Sequence, residues 1–455
     1  MPGIAGWKDL YQLEHVQLHE EGYDVCGCPR PGNGADDLAV EDATEGTTGR
    51  LTETEWEQAY RSLVRVREAG LRDGYPYVEP NEWDAIVAAA SAPPDLVRLT
   101  DGAYADRIKG AWLGRMAGCI QGKPVEMVRK DQVKEYLQEA GAWELYDYIP
   151  LVPGKLRRVD RLEGCTRGHI TRVARDDDVD YTILSLILYE THGRSFTRED
   201  ICNGWLNRVP YGRLYSCTRQ AYYHLVNRDF ERPIEEQIDG FATTLNPMRE
   251  GINGTIRADF HAYVTPGDPR AAAANAWKEA TINCVKNGIY GMCFTAAAIS
   301  AALSDGPGLE TILAGGLSVV PRRSRLYEAI AQVRTWHAEG AGWESVNDRI
   351  YEKWGHHNCA GVMINLPIVV LALLEGKMDF TRTISVATMA GMDTDCNAAT
   401  AGSIVGAALG YEQLDGRWFE PFQDTVESSV AMFGNGTISE LIERTVACYH
   451  KCGEG

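Results

Sequence analysis

Two runs of carboxylates carry the strongest chemical signal in this sequence. Asp176-Asp177-Asp178 stands directly before Val179-Asp180-Tyr181-Thr182-Ile183-Leu184, and Asp393-Thr394-Asp395 before Cys396-Asn397-Ala398-Ala399. Each is a short polar loop feeding an apolar helix. One aspartate at a helix start has an ordinary role, because it caps free amide groups and complements the helix dipole. Three in a row repel one another unless a cation or a shifted protonation offsets the charge. Oxygen-only donors of this kind suit hard ions such as magnesium, manganese or calcium better than zinc. A third feature runs from Asp106 to Glu126, where Gly110, Gly114, Gly118 and Gly122 recur every four residues. Such a stripe lines one helix face and lets a second backbone approach closely. Glu126, just past Pro124, stands at the end of that helix, where it can reach a pocket.

Helices must position these residues. From about residue 100 onward, apolar side chains recur at three- and four-residue spacing between short Gly, Pro and Asp loops. The pattern predicts helices over 180–191, 269–284, 291–303, 325–339, 362–374, 397–409 and 439–450. Strand-length alternation is nearly absent, so a parallel sheet has nothing to build on and the fold class is all-α. No fixed period marks a helical solenoid. Residues 1–100 read as a partly helical N-terminal accessory segment. It has a Gly- and Asp-rich stretch over 32–49, a helical pattern over 53–69, and a short helix within 80–95 that ends at paired prolines. The main helical domain is then 101–455.

Composition narrows the function. The 455 residues carry 64 acidic against 45 basic side chains, a formal charge of -19. That balance lacks the basic footprint needed to bind nucleic-acid backbones or an anionic membrane surface. With 44% apolar and 24% charged residues, the chain has the make-up of a globular protein and not of a disordered one. Its most apolar segment, 359–374, contains Asn365 and Pro367 and falls short of the roughly 20 residues of a membrane span. The start of the chain is acidic, without the basic flank and apolar run of an export signal. The twelve cysteines read as reduced core thiols, so a cytoplasmic protein is expected. Cys26, Cys28, Cys448, His450 and Cys452 match no standard zinc spacing.

Taken in order, GAWLGRMAGCIQGKPVE, RDDDVDYTIL and MAGMDTDCNAATAGSIVGAALG resemble the ADP-ribosylglycohydrolase family, over roughly residues 100–430. The resemblance implies a single large orthogonal helical domain. Two divalent cations, magnesium or manganese, would lie at the bottom of a cleft that takes the ribose of an ADP-ribosyl or other ribosyl-containing substrate. It implies a metal centre of Asp176, Asp177, Asp178, Asp393, Asp395 and Cys396, with Asp177, Asp395 and Glu126 as catalytic residues. The segment 251–259 loosely resembles the family's Gly- and Asn-rich phosphate loop, which makes Gly251, Asn253, Gly254 and Arg257, and beyond them Gly288 and Tyr290, the substrate-binding set. Arg257 could pair with a phosphate or with an acidic helix end, and Tyr290 could stack on a base or fill the core.

The sequence also departs from the family pattern. Asp176 and Val179 flank the aspartate pair where threonines are usual, and Cys396 replaces the threonine after the last aspartate. The first change adds negative charge, and a thiol is a poor ligand for a hard cation. The stretch 282–288 also lacks the histidine often found there. The implied activity is metal-dependent hydrolysis at the ribose anomeric carbon, with an arginine, a serine or a small molecule as acceptor. The alternative is a non-catalytic binding or structural protein on the same scaffold, which would have no reason to retain five converging carboxylates. A phosphoryl-transfer enzyme would need a Walker-type lysine loop, and none is present.

Overall fold

The apolar periodicity becomes helix wherever the sequence carries it. A computed structural model describes residues 6–28 and 51–453; the stretch 32–49 lies outside the described residues. Its longer helices include Asp101–Gly122, Asp177–His192, Pro269–Ala280, Asn287–Ala302, Arg325–Ala338, Val362–Gly376, Thr394–Leu409 and Ile438–Gly453. Strand is confined, among the described residues, to two small antiparallel pairs, Val128–Arg129 with Gly391–Met392 and Thr425–Glu427 with Asn435–Thr437. The fold is all-α. Two helices begin three residues ahead of the apolar pattern, at Asp177 and Thr394, because polar first-turn residues carry no hydrophobic signal. The helix expected over 269–284 stops at Ala280. Ile282 and Cys284 are still buried, so the apolar pattern runs on through a turn.

The glycine stripe finds its partner in the helix Thr394–Leu409. A Cβ added at Gly110, Gly114, Gly118 or Gly122 would collide with the backbone oxygen of Gly406, Gly402, Ala398 or Thr394 respectively. The two backbones therefore pack in direct contact over three turns, which only small residues on both sides allow. Thr394 Oγ1 donates to Gly122 O at 2.7 Å, and Met127 N donates to Met392 O at 2.7 Å. The end of one helix is thus tied to the start of the other. Met127 and Met392 both hold left-handed φ, 61° and 69°, an unfavourable conformation for side-chain-bearing residues that tends to persist at functional sites.

The apolar segment is the buried helix Val362–Gly376, with Pro367 inside it. Asn365 explains its own presence there. Its Oδ1 accepts from Asp393 N at 3.1 Å and from Asn397 Nδ2 at 2.8 Å, while its Nδ2 donates to Gly361 O and Cys359 O. A buried amide with its bonds satisfied fixes a unique arrangement, and this one fixes the loop that carries Asp393.

Near the N-terminus, Trp7–Glu20 and Glu53–Val64 pack around a small cluster of their own that includes Leu10, Tyr11, Leu18, Trp56, Tyr60 and Leu63. No described helix is long and apolar enough to cross a membrane.

Candidate active site

Both aspartate loops open onto one cleft of about 990 Å³, within the size range that takes a nucleotide-sized ligand. The helix starts at Asp177 and Thr394 point their positive dipole ends at its floor, a setting that favours carboxylates. Only Asp176 acts as a cap, accepting from Asp178 N at 3.0 Å. Asp393 holds the equivalent position before Thr394–Leu409 yet makes no side-chain capping bond. Its Oδ1 is buried and has no hydrogen-bond partner among the described residues. Capping therefore accounts for one of the five aspartates.

The chain's own cations neutralise two of the five. Lys123, which directly follows the glycine helix, pairs with Asp176 and donates to Arg175 O at 2.8 Å. Arg115, fully buried on that helix, donates Nε to Asp178 O at 2.6 Å and lies 3.2 Å from Asp178 Oδ1 and 2.9 Å from Asp259 Oδ2. Arg115, Cys119 and Lys123 are spaced i, i+4, i+8, so one helix face delivers both cations to the floor. Among the described residues, no lysine or arginine forms an ion pair with Asp177, Asp393 or Asp395.

Their electrostatics follow. Burial, then the neighbouring Asp176 charge, pushes the Asp177 carboxyl up to about 7. Burial, then the Asp395 charge, pushes Asp393 well above the usual carboxylate range, and burial likewise raises Asp395. Ligand oxygens of Asp176, Asp178 and Asp395 lie within 4.8 Å of one another, and a second group joins Asp393 and Asp395 to Cys396. A crowded, mutually repelling oxygen set with one orphaned buried oxygen fits a hard divalent cation. Cys396 stands in this cluster as a donor: its Sγ lies 3.2 Å from Asp178 Oδ2, and burial pushes its thiol well up. A protonated thiol offers little to a hard ion.

Glu126 lines the cleft and is paired with Arg158. Of the residues expected to bind substrate, Asn253 lines the cleft; the others lie elsewhere. Arg257 is fully buried, 3.1 Å from Glu279, bonded to Thr218 and Asn283, and packed over the Trp205 and Tyr181 rings. It neutralises a core glutamate and does not line the cleft. Tyr290 is fully buried and donates to Pro80 O at 2.5 Å, which makes it a core residue. Gly254 and Gly288 pack against each other, with the Gly288 oxygen 3.1 Å from where a Gly254 Cβ would stand. Gly251 pairs with Gly361 in an isolated bridge.

Several cleft residues carried no functional expectation from the sequence. Arg157 and Arg161, on the short helix Arg157–Arg161, and Arg213 line the cleft, are exposed, and have no carboxylate partner among the described residues. Arg219 joins them, its guanidinium 5.6 Å from the ring centre of Tyr215, which is 40% exposed in the same lining. Arg157, Arg158 and Arg161 are visible in the sequence as a basic run inside an acidic protein; only the fold brings them to the cleft that holds the aspartates.

The ADP-ribosylglycohydrolase family model matches residues 100–453, more than three quarters of the chain. No curated protein matches it. Among solved structures, an ADP-ribosylglycohydrolase-related protein complex is 19% identical, with 77% of this chain and 99% of that chain covered and a TM-score of 0.49.

Proposed function

The chain belongs to the ADP-ribosylglycohydrolase family, and on that premise we propose that its cleft hydrolyses the bond at the ribose anomeric carbon of an ADP-ribosyl or related phosphate-bearing ribosyl substrate. Divalent cations, magnesium or manganese, would be held by Asp177, Asp393 and Asp395 with Asp176 and Asp178. The observation that carries the reading is a carboxylate floor, three of whose members form no ion pair among the described residues, beside arginines that likewise form none there. A molecule with a polyhydroxylated sugar at one end and phosphate at the other answers both.

Bound cations supply Lewis-acid charge beside the sugar and make water a better nucleophile. The chain's residues do the rest. Asp177 and Asp395, on facing helix starts, stabilise positive charge developing at the anomeric carbon. Arg158 holds Glu126 with acceptor oxygens available to orient or deprotonate water. Arg157, Arg161 and Arg213 bind phosphate oxygens, for which the planar guanidinium is well shaped, and Tyr215 offers a ring face to a base.

The test is incubation with magnesium or manganese and a panel of ADP-ribosylated arginine, ADP-ribosylated serine, NAD and neutral nucleosides, with products followed by mass spectrometry. Metal-dependent release of ADP-ribose from a phosphorylated member is expected. Turnover confined to neutral nucleosides would overturn the phosphate requirement, and turnover undiminished by a chelator would overturn the role of the floor. Arg161→Ala and Arg213→Ala are each expected to raise KM about tenfold for the phosphorylated substrate, the scale of one charged hydrogen bond. Steady-state kinetics should show kcat changing less than KM.

A further inference from the structure

Away from the aspartate floor, buried charges bolt the helix Trp7–Glu20 to the main body. Arg249, 1% exposed, lies 2.8 Å from Glu14 and 2.6 Å from Glu21. Gln17 donates to Glu250 at 2.8 Å. Glu20, the last residue of that helix, turns to two consecutive histidines in the loop after the helix Trp343–Trp354. His356 Nε2 lies 3.2 Å from Glu20 Oε1 and His357 Nε2 lies 3.7 Å from Glu20 Oε2. The two imidazole rings are 4.3 Å apart, and one ligand atom from each of the three residues falls within 4.8 Å of the others. His357 Nε2 is buried without a hydrogen-bond partner among the described residues.

We propose that Glu20, His356 and His357 form a three-ligand site for a transition-metal ion of the zinc class, which fastens the N-terminal helix to the loop leading into the helix Val362–Gly376. Two imidazole nitrogens and one carboxylate oxygen are a borderline-soft donor set, suited to zinc, cobalt, nickel or copper and not to magnesium. Ligands about 2.0–2.1 Å from a tetrahedral ion stand roughly 3.3–3.4 Å apart; His356 Nε2 stands 3.2 Å from one Glu20 oxygen and His357 Nε2 3.7 Å from the other, close to that spacing. Both sides are held in place. Glu20 sits between Gln17 and Glu21, each anchored in the buried network. The histidine loop is pinned by His357 N to Trp354 O at 3.0 Å, Gly361 N to Asn358 O at 2.7 Å and Ile252 N to Ala360 O at 2.7 Å. Ala360 also lines the aspartate cleft, so an ion here would brace a strip of backbone that reaches the cleft wall. The fourth position is left to water, as in zinc sites with three protein ligands.

The experiment is calorimetric titration of zinc chloride into the full chain, stripped of metal, kept reduced and held in excess magnesium, beside His357→Ala and Glu20→Gln. One zinc equivalent is expected in the parent protein, weakened at least tenfold in both variants. Cobalt should give visible bands of nitrogen ligation that His357→Ala loses. Unchanged zinc stoichiometry and affinity in both variants would overturn the site and leave Glu20–His356 as an ion pair. Circular dichroism of the zinc-free variants separates a lost ligand from a lost fold. Glu20→Gln, nearly isosteric, keeps the test decisive if His357→Ala does not fold.

Discussion

Asp395→Asn lowers metal-dependent turnover by about three orders of magnitude and, in metal-free protein, raises the melting temperature. The first half follows from what a cation at the floor contributes: several kcal/mol of transition-state stabilisation, at about 1.4 kcal/mol per decade of rate. The second follows from the carboxylates themselves. Asp177, Asp178, Asp393 and Asp395 all have raised proton affinities, burial being the first cause in each. Without a cation, the floor is a source of repulsion that one amide relieves. The amide oxygen can still accept from Cys396 N, as Asp395 Oδ1 does at 3.0 Å, so the loop keeps its shape. A rise of about 1–3 °C is expected, equivalent to ~1 kcal/mol in a chain of this size. Scanning calorimetry in chelator and an activity assay in manganese check the two halves together. A variant that is less stable without metal and still active would dismiss the cation floor.

The same cluster fixes a pH dependence. Asp177 ionises near the ordinary aspartate value when unfolded and only at about 7 when folded. Between those values the unfolded chain sheds a proton that the folded chain keeps, so metal-free stability falls as pH rises through that window and then levels off. A cation competes with those protons. Its stabilising increment therefore grows from pH 5 to pH 8, measurable as the difference in melting temperature with and without manganese.

How much of this was legible beforehand divides along sequence distance. The helices and aspartate loops are local signals, since a 3.6-residue period and a run of like charges are complete within twenty residues. Even Asn365 announces itself, as a polar interruption in the most apolar segment. Arg257 does not: an arginine in a Gly- and Asn-rich loop is ambiguous until Trp205, Tyr181 and Glu279 close around it. Tyr290 is decided in the same way by Pro80, some two hundred residues earlier. Meanwhile Tyr215 and Arg213, which match no motif, reach the cleft only because the fold brings their turn into the same lining as the first aspartate loop. The pairing of Arg249 with Glu14 and Glu21 joins residues more than two hundred positions apart, and no period or motif encodes it.

Gly118→Ala is the substitution expected to damage the fold most for a single methyl group. The methyl would meet Ala398 O and C and Ala399 N, all backbone atoms of a helix that cannot swing aside as a side chain does. The two helices would have to separate along the seam from Gly110 to Gly122, giving up close backbone contact and Cα–H···O approaches over three turns. A cost of at least ~3 kcal/mol is expected, the upper range for overpacking. Gly204→Ala is the control, on the helix Arg198–Arg208, where an added Cβ meets nothing within 4 Å. Helix propensity alone predicts a gain of about 0.5–1 kcal/mol there. Opposite signs in denaturant unfolding, from the same chemical change, would establish that backbone contact holds the seam together. Because that seam ends where Lys123 meets the loop of Asp393 and Asp395, residual folded Gly118→Ala protein is also expected to bind manganese more weakly. Equal stability of Gly118→Ala and the parent would mean that the helices do not touch in this way, and with that the floor would lose the structure that brings its two aspartate loops together.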